Sequence, residues 1–125
     1  MSVSKHGNPV TQFQILSTAP DATARFYRDL FGWTVDAANP MGYRQLLTGS
    51  PDGIQGGIWP APPQAPSFVQ LFITVEDVAA AVMKAEGLGA KLLIPPTVLP
   101  QGDCLAVLLD PQGMSFGVWR ANSSA

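Results

Sequence analysis

The sequence predicts an α+β protein built from two βαβββ modules. Three observations predict it: one pattern of segments occurs twice, the two occurrences keep a near-constant offset, and a proline-rich segment separates them. Val10-Thr11-Gln12-Phe13-Gln14-Ile15-Leu16, a helical segment ending at Gly32 and a strand ending Gly56-Gly57-Ile58-Trp59 form the first occurrence. Phe68-Val69-Gln70-Leu71-Phe72-Ile73-Thr74, a helical segment ending at Gly89 and Phe116-Gly117-Val118-Trp119 form the second. Gln70 follows Gln12 by 58 places, Gly89 follows Gly32 by 57, and Trp119 follows Trp59 by 60. Module one then spans about 10–59, the linker 60–66 and module two about 67–120, all within one domain.

Each element has a local reason. Residues 10–17 alternate, with Val10, Gln12, Gln14 and Leu16 on one face and Phe13 and Ile15 on the other, as a half-buried strand does. Thr18 and Asp21 have capping-box spacing, Pro20 suits a first helical turn, and Ala22, Phe26 and Leu30 line one face of a helix that Gly32 can end. Strands follow at 33–37, 43–48 and 54–59, separated by the turn residues Asn39-Pro40-Met41-Gly42 and Ser50-Pro51-Asp52-Gly53. Pro60-Ala61-Pro62-Pro63-Gln64-Ala65-Pro66 reads as an extended linker. In the second module a strand at 67–75 leads to a helix at 77–88 built on Val78, Ala81, Val82 and Ala85 and stopped by Gly89. Strands at 91–94, 103–109 and 115–120 complete it, with a loop at 95–102 and a type I turn at Asp110-Pro111-Gln112-Gly113. Ala121 to Ala125 reads as a disordered tail.

Composition narrows the functions open to such a chain. At 125 residues there is room for one domain, and each half alone is marginal, so the halves are expected to pack together. Hydrophobic residues make up 46% and charged residues 13%, a surface so poor in charge that part of it is expected to be buried in a homodimer. A net charge of −2 without any basic run argues against nucleic acid and anionic membrane as partners. Met1 to His6 lacks an apolar core, and no apolar run approaches membrane-spanning length. The single Cys104 allows no internal disulfide, and a cytoplasmic protein fits all of this.

Phe26-Tyr27-Arg28-Asp29-Leu30-Phe31-Gly32-Trp33 resembles the helix-end signature of the vicinal oxygen chelate superfamily, which includes glyoxalase I, ring-cleaving dioxygenases and bleomycin-resistance proteins. Val75-Glu76-Asp77-Val78 and Asp110-Pro111-Gln112-Gly113 resemble the matching landmarks of the second module. The resemblance covers about residues 10–120 and implies a glyoxalase/bleomycin resistance-like fold whose curved mixed sheets form a cleft. In metal-using members the ligands sit on the first and last strand of each module, typically histidine or glutamine on the first and glutamate on the last. Carried onto this chain, those positions are Gln12, Gly57, Gln70 and Gly117. An alternative offset of 56 pairs Gln14 with Gln70; both offsets are even, so the facing is unchanged.

Two neutral amides and two glycines do not make a divalent metal site, since such a site needs about three ligands from histidine, cysteine or carboxylate. No metal and no cofactor is therefore expected, and His6 lies before the first strand. Strand alternation places Gln12, Gln14, Gln55, Gly57, Trp59, Gln70, Phe72, Ser115, Gly117 and Trp119 on the face away from the helices, where the glycines are expected to leave space. Phe13, Ile15, Ile58, Leu71, Ile73, Phe116 and Val118 face the helices. Amides and aromatic rings on one concave surface suit a planar or amphipathic small organic molecule.

The remaining candidates have plainer readings. Cys104 reads as a small buried apolar residue, Trp33 as core and Asp110 as a turn cap; Tyr43 and Arg44 can edge the groove, and their plainer reading is a surface pair at a strand start. No set of residues for nucleophilic or acid–base catalysis can be assembled, so no catalytic residue is expected. The leading expectation is metal-independent binding of a small organic ligand. The alternatives are a metal-dependent lyase, isomerase or dioxygenase, as the resemblance allows, and a protein-interaction module.

Overall fold

The computed structural model describes residues 7–122. Its elements follow the predicted order: β1 (Val10–Ser17), α1 (Pro20–Phe31), β2 (Thr34–Asp36), β3 (Arg44–Leu47) and β4 (Gln55–Pro60), then β5 (Phe68–Thr74), α2 (Val78–Gly87), β6 (Lys91–Val98), β7 (Cys104–Leu109) and β8 (Ser115–Arg120). The chain divides into two compact units, Gln12–Gln70 and the described parts of Met1–Thr11 with Leu71–Ala125. The division passes through β1 and β5. Within the second unit Thr11 and Thr74 share a hydroxyl hydrogen bond of 2.7 Å, and the Thr74 N–H donates to the Pro9 carbonyl at 2.9 Å. Within the first, the Thr18 N–H donates to Ser67 Oγ at 3.0 Å.

In the Gln12–Gln70 unit β1 runs parallel to β4, β4 antiparallel to β3 and β3 antiparallel to β2. In the other unit β5 runs parallel to β8, β8 antiparallel to β7 and β7 antiparallel to β6. Each is thus a mixed βαβββ arrangement. The helix of each module supplies the crossover that its parallel strand pair requires.

The two cores follow strand alternation. Ala24, Leu46 and Ile58 are buried together, with Phe13, Ile15, Trp33 and Val35 packed against them. Val78, Val82, Cys104, Ala106, Leu108 and Val118 form the other core, flanked by Ala81, Ala85 and Phe116. The α2 positions, Trp33 and Cys104 are thus where their residue types put them. Leu71 is the exception on the helix-facing set, being 46% exposed, and Ile73 is only half-buried.

Several local expectations need correction. The capping box at Thr18 and Asp21 does not form: Ala19 is the N-cap without a side-chain cap, and Pro20 begins the helix. Ser17 Oγ accepts from the N–H of Ala19, the N-cap residue itself, at 2.9 Å, while Asp21 is drawn to Arg44 at 2.8 Å. The packed face of α1 is also rotated. Ala24 is buried and Tyr27 stacks on Trp33 at 5.6 Å, whereas Phe26 and Leu30 are 59% and 58% exposed. The small Ala24, not the larger Phe26, is the residue that fits against the sheet. α2, by contrast, is capped by Asp77, whose side chain accepts from the Ala80 N–H at 3.0 Å.

The linker is not extended throughout, because the Ala65 N–H donates to the Pro62 carbonyl at 3.1 Å and closes a turn with Gln64 at φ 66°. β6 runs to Val98, through the segment expected as loop. Pro95 and Pro96 are accommodated by register shifts along this outer strand, where missing N–H groups break no ladder. The C-terminal end is ordered one step further than expected. Asn122 donates from its N–H to Asp103 Oδ1 and from Nδ2 to the Gln101 carbonyl, each at 2.6 Å. Residues 123–125, like His6, lie outside the described residues.

Asp110 caps its turn as expected, accepting from the N–H groups of Gln112 and Met114 at 2.8 and 3.0 Å. Replacing Asp77 by alanine is expected to cost about 1 kcal/mol in chemical denaturation through loss of the α2 cap. Leu108→Ala, at a fully buried core position, is expected to cost about 2–5 kcal/mol, and the exposed Met83→Ala less than about 0.5.

Candidate binding site

The candidate site in the Gln12–Gln70 unit grows from the register of three strands. Parallel pairing sets Gln12 beside Gln55, Gln14 beside Gly57 and Leu16 beside Trp59. Antiparallel pairing sets Gln45 beside Gly57 on the other side, and Tyr43 lies two residues before Gln45 on the same face. Leu46 beside Gly56 belongs to the opposite face, where the Phe13 ring fills the space a Gly56 side chain would need.

Tyr43 is the residue that sequence reading undervalued. It is half-buried, its ring lies 4.6 Å from that of Trp59, and a Cβ added at Gly57 would overlap it. The expected space at Gly57 is therefore filled by an aromatic ring. A tight turn delivers Tyr43 there. Asn39 Oδ1 accepts from the N–H groups of Met41 and Tyr43 at 3.0 and 3.1 Å, and Asn39 Nδ2 donates to the Tyr43 carbonyl at 2.6 Å. Gly42, at φ 76°, permits the left-handed step between them. Arg44 is engaged elsewhere, by Asp21 and by the Gly42 carbonyl at 2.5 Å.

The polar part of the site centres on Gln14, a buried amide. Its Nε2 donates to Gln12 Oε1 at 2.9 Å and, over a long 3.4 Å, to the Tyr43 hydroxyl. Its Oε1 is the buried side-chain atom among the described residues that has no partner. Burial pushes the Tyr43 phenol above its ordinary ionisation range, with the Gln14 hydrogen bond as a smaller opposing influence. The phenol is accordingly a protonated donor at neutral pH. Gln70 is buried in the same unit, and Gln55 is exposed.

The second unit holds Phe72, Ser115, Gly117 and Trp119. Phe72 pairs with Gly117 across β5 and β8, and its ring lies where a Gly117 side chain would stand. Trp119 pairs with Thr74 on one side and Leu105 on the other and is half-buried, as is Ser115. The expected space at Gly117 is thus also occupied by a ring. In one module the ring comes from the turn residue just before β3, and in the other from the first strand, β5.

Among the described residues, the side chains at Gln12 and Gly57 do not make a donor set that suits a divalent metal ion. Gln12 already accepts from Gln14, Gly57 is covered by Tyr43, and among the described residues no three His, Cys, Asp or Glu side chains come together.

The glyoxalase-like domain family model matches residues 12–119. Among curated proteins, the chain is 31% identical over 110 residues to "Putative glyoxylase CFP32" of Mycobacterium tuberculosis, covering 86% of this chain and 42% of that protein. It is 28% identical over 120 residues to the anthracycline biosynthesis protein DnrV of Streptomyces peucetius, covering 82% and 44%. The chain therefore spans about two fifths of the length of the curated relatives it matches. The hypothetical protein BH1468 of Bacillus halodurans has the same fold, with a TM-score of 0.67 at 14% identity over 94% of this chain and 97% of that one.

Gly57→Ala is expected to destabilise the protein by about 1–3 kcal/mol through overlap with Tyr43. The cost is expected to shrink markedly in a Tyr43→Ser background, and equal costs in both backgrounds contradict the contact. In alkaline titration the raised Tyr43 pKa makes its contribution to stability fully present below about pH 10 and lost as pH rises through the higher folded value. Tyrosinate absorbance is expected to lose a phase above pH 10 in Tyr43→Phe.

Proposed function

The chain belongs to the glyoxalase-like domain family, and on that premise we propose that it binds a small planar or amphipathic organic molecule without using a metal ion. One observation supports this reading above others: Gln14, Tyr43 and Trp59 join a buried amide to a pair of aromatic faces at the very place where the family resemblance puts a metal ligand. A ring at Gly57 removes the room a carboxylate ligand needs and offers a stacking surface instead. An aromatic ligand on such a surface gains about 0.5–1.5 kcal/mol per ring beyond area burial. The relative named for anthracycline biosynthesis agrees with a flat, fused-ring class of ligand. Gln12 and Gln55 supply polar groups at the margin of the same face, and Gln70 is counted among the ligand contacts. In the other unit Phe72, Ser115, Gly117 and Trp119 are assigned the corresponding role.

Homodimerisation is part of the proposal, since Phe26, Leu30 and Phe31 present apolar side chains that are more than half exposed on α1. A cytoplasmic setting agrees with the buried free thiol of Cys104, and no helix among the described residues is long and apolar enough to cross a membrane.

The test uses a Trp33→Phe, Trp119→Phe variant, in which Trp59 is the remaining tryptophan. Uncharged naphthalene-class aromatics are expected to raise the melting temperature through binding linkage and to quench Trp59 emission. A panel that leaves both unchanged contradicts the proposal. Elemental analysis of the purified protein is expected to find no stoichiometric metal; about one zinc, nickel, iron or manganese ion per chain, lost on changing Gln12 and Gln70 to alanine, overturns metal independence.

A further inference from the structure

We propose that Gln14 selects ligands bearing a hydrogen-bond donor, so that this site takes a neutral planar aromatic with an O–H or N–H group at its edge. The inference rests on the binding reading above and adds the chemical class of the ligand.

The Gln14 side chain is more than nine-tenths buried, at 4% exposure of the residue, and both of its N–H groups are used. One goes to Gln12 Oε1 and the other to the Tyr43 hydroxyl, so the unpartnered Oε1 is an acceptor with nothing to accept. A primary amide oxygen has two lone pairs, and a native structure seldom leaves such an atom both buried and unpaired. Groups of this kind are costly alone and discriminating when a ligand completes them, because a ligand without the donor leaves the cost in place.

The neighbouring phenol sharpens the class. Tyr43 Oη accepts from Gln14, which leaves its own proton free to donate, and its burial keeps that proton on at neutral pH. One acceptor and one donor therefore stand beside the Tyr43 and Trp59 ring faces. A phenolic O–H can donate to the first and accept from the second. A heteroaromatic N–H can satisfy the first. Charge on the ligand finds no counterpart in Arg44, whose guanidinium is held by Asp21 and the Gly42 carbonyl. The 3.4 Å contact to Tyr43 is the longer of the two that restrain the amide, so Tyr43 is the group that yields when a donor approaches Oε1.

The experiment compares 2-naphthol with 2-methoxynaphthalene, which share a ring system and differ by the O–H. Equilibrium dialysis against the unmodified protein is expected to show 2-naphthol binding about three- to tenfold more tightly, the ratio one hydrogen bond supplies. The ether is the more hydrophobic of the two, so simple partitioning runs against this result. In Gln14→Leu the ratio is expected to fall to about one. Equal binding of the two compounds by the unmodified protein, or a ratio retained in a folded Gln14→Leu, overturns the inference while leaving the binding reading intact. If neither compound binds, the binding reading fails and this inference falls with it. Should Gln14→Leu not fold, the ratio in the unmodified protein decides alone.

Discussion

The arrangement of this protein depends on glycine in the middle of last strands. A strand glycine exposes backbone on both sheet faces and ordinarily weakens the strand, because nothing packs over it. Here each of Gly56, Gly57 and Gly117 is covered by an aromatic ring, from Phe13, Tyr43 and Phe72 respectively. The ring restores the contact that a side chain would have made and brings its own area and polarity. Phe13 spends this on the helix-side core, where it packs with Ile58 and Leu46. Tyr43 does so on the opposite face, and its hydroxyl ties the ring to Gln14. A Cβ at any of the three positions meets the ring before anything else, so glycine and ring are one unit, and neither can change alone.

Most of the fold was legible because it was encoded twice. Strand alternation at Gln12-Phe13-Gln14-Ile15 and again at Phe116-Gly117-Val118 sets which side chains meet a helix, and a period of two tolerates errors in the ends of elements. α2 was readable in its packed stripe, where Val78 and Val82 are buried as expected, while Asp77, expected as its first residue, is its N-cap. α1 was not. Phe26 and Leu30 have the spacing of a buried face, yet the helix turns Ala24 and Tyr27 inward, and no periodicity argument ranks a small residue above two large ones. The capping box failed for a related reason: Asp21 has a tertiary partner in Arg44, and a long-range ion pair is invisible to local spacing. β6 passed through two prolines because it is bonded by β7 through a shifted register, a tertiary allowance no local rule contains.

The candidate site was legible in its face and not in its contents. Gln12, Gln14, Gly57 and Trp59 were placed on one side by alternation alone. Tyr43 reads from sequence as a surface residue that can at most edge the groove, although a stronger signal exists: it follows an Asn-Pro-Met-Gly turn and stands two residues before the partner of a strand glycine. An aromatic near a bare strand glycine is a known way of covering it. The repeat itself misled on this point, since Gly57 and Gly117 look equivalent in sequence while one is covered by Tyr43 from the turn before β3 and the other by Phe72 from β5. Where the modules diverge most, at Tyr43 and Phe72, is where an amide network exists in one and a plain apolar contact in the other.

Docking of a small aromatic molecule at the Gln14, Tyr43 and Trp59 cluster, as proposed, leaves a direct spectroscopic trace. Side-chain amide and indole resonances in a nitrogen-15 labelled sample, titrated with 2-naphthol, report on it directly. The Gln14 side-chain amide and the Trp59 indole N–H are expected to shift together and saturably, while the Trp33 indole, packed in the helix-side core, stays in place. Shifts confined to Trp33 and the exposed residues of α1, with Gln14 and Trp59 unmoved, would contradict it.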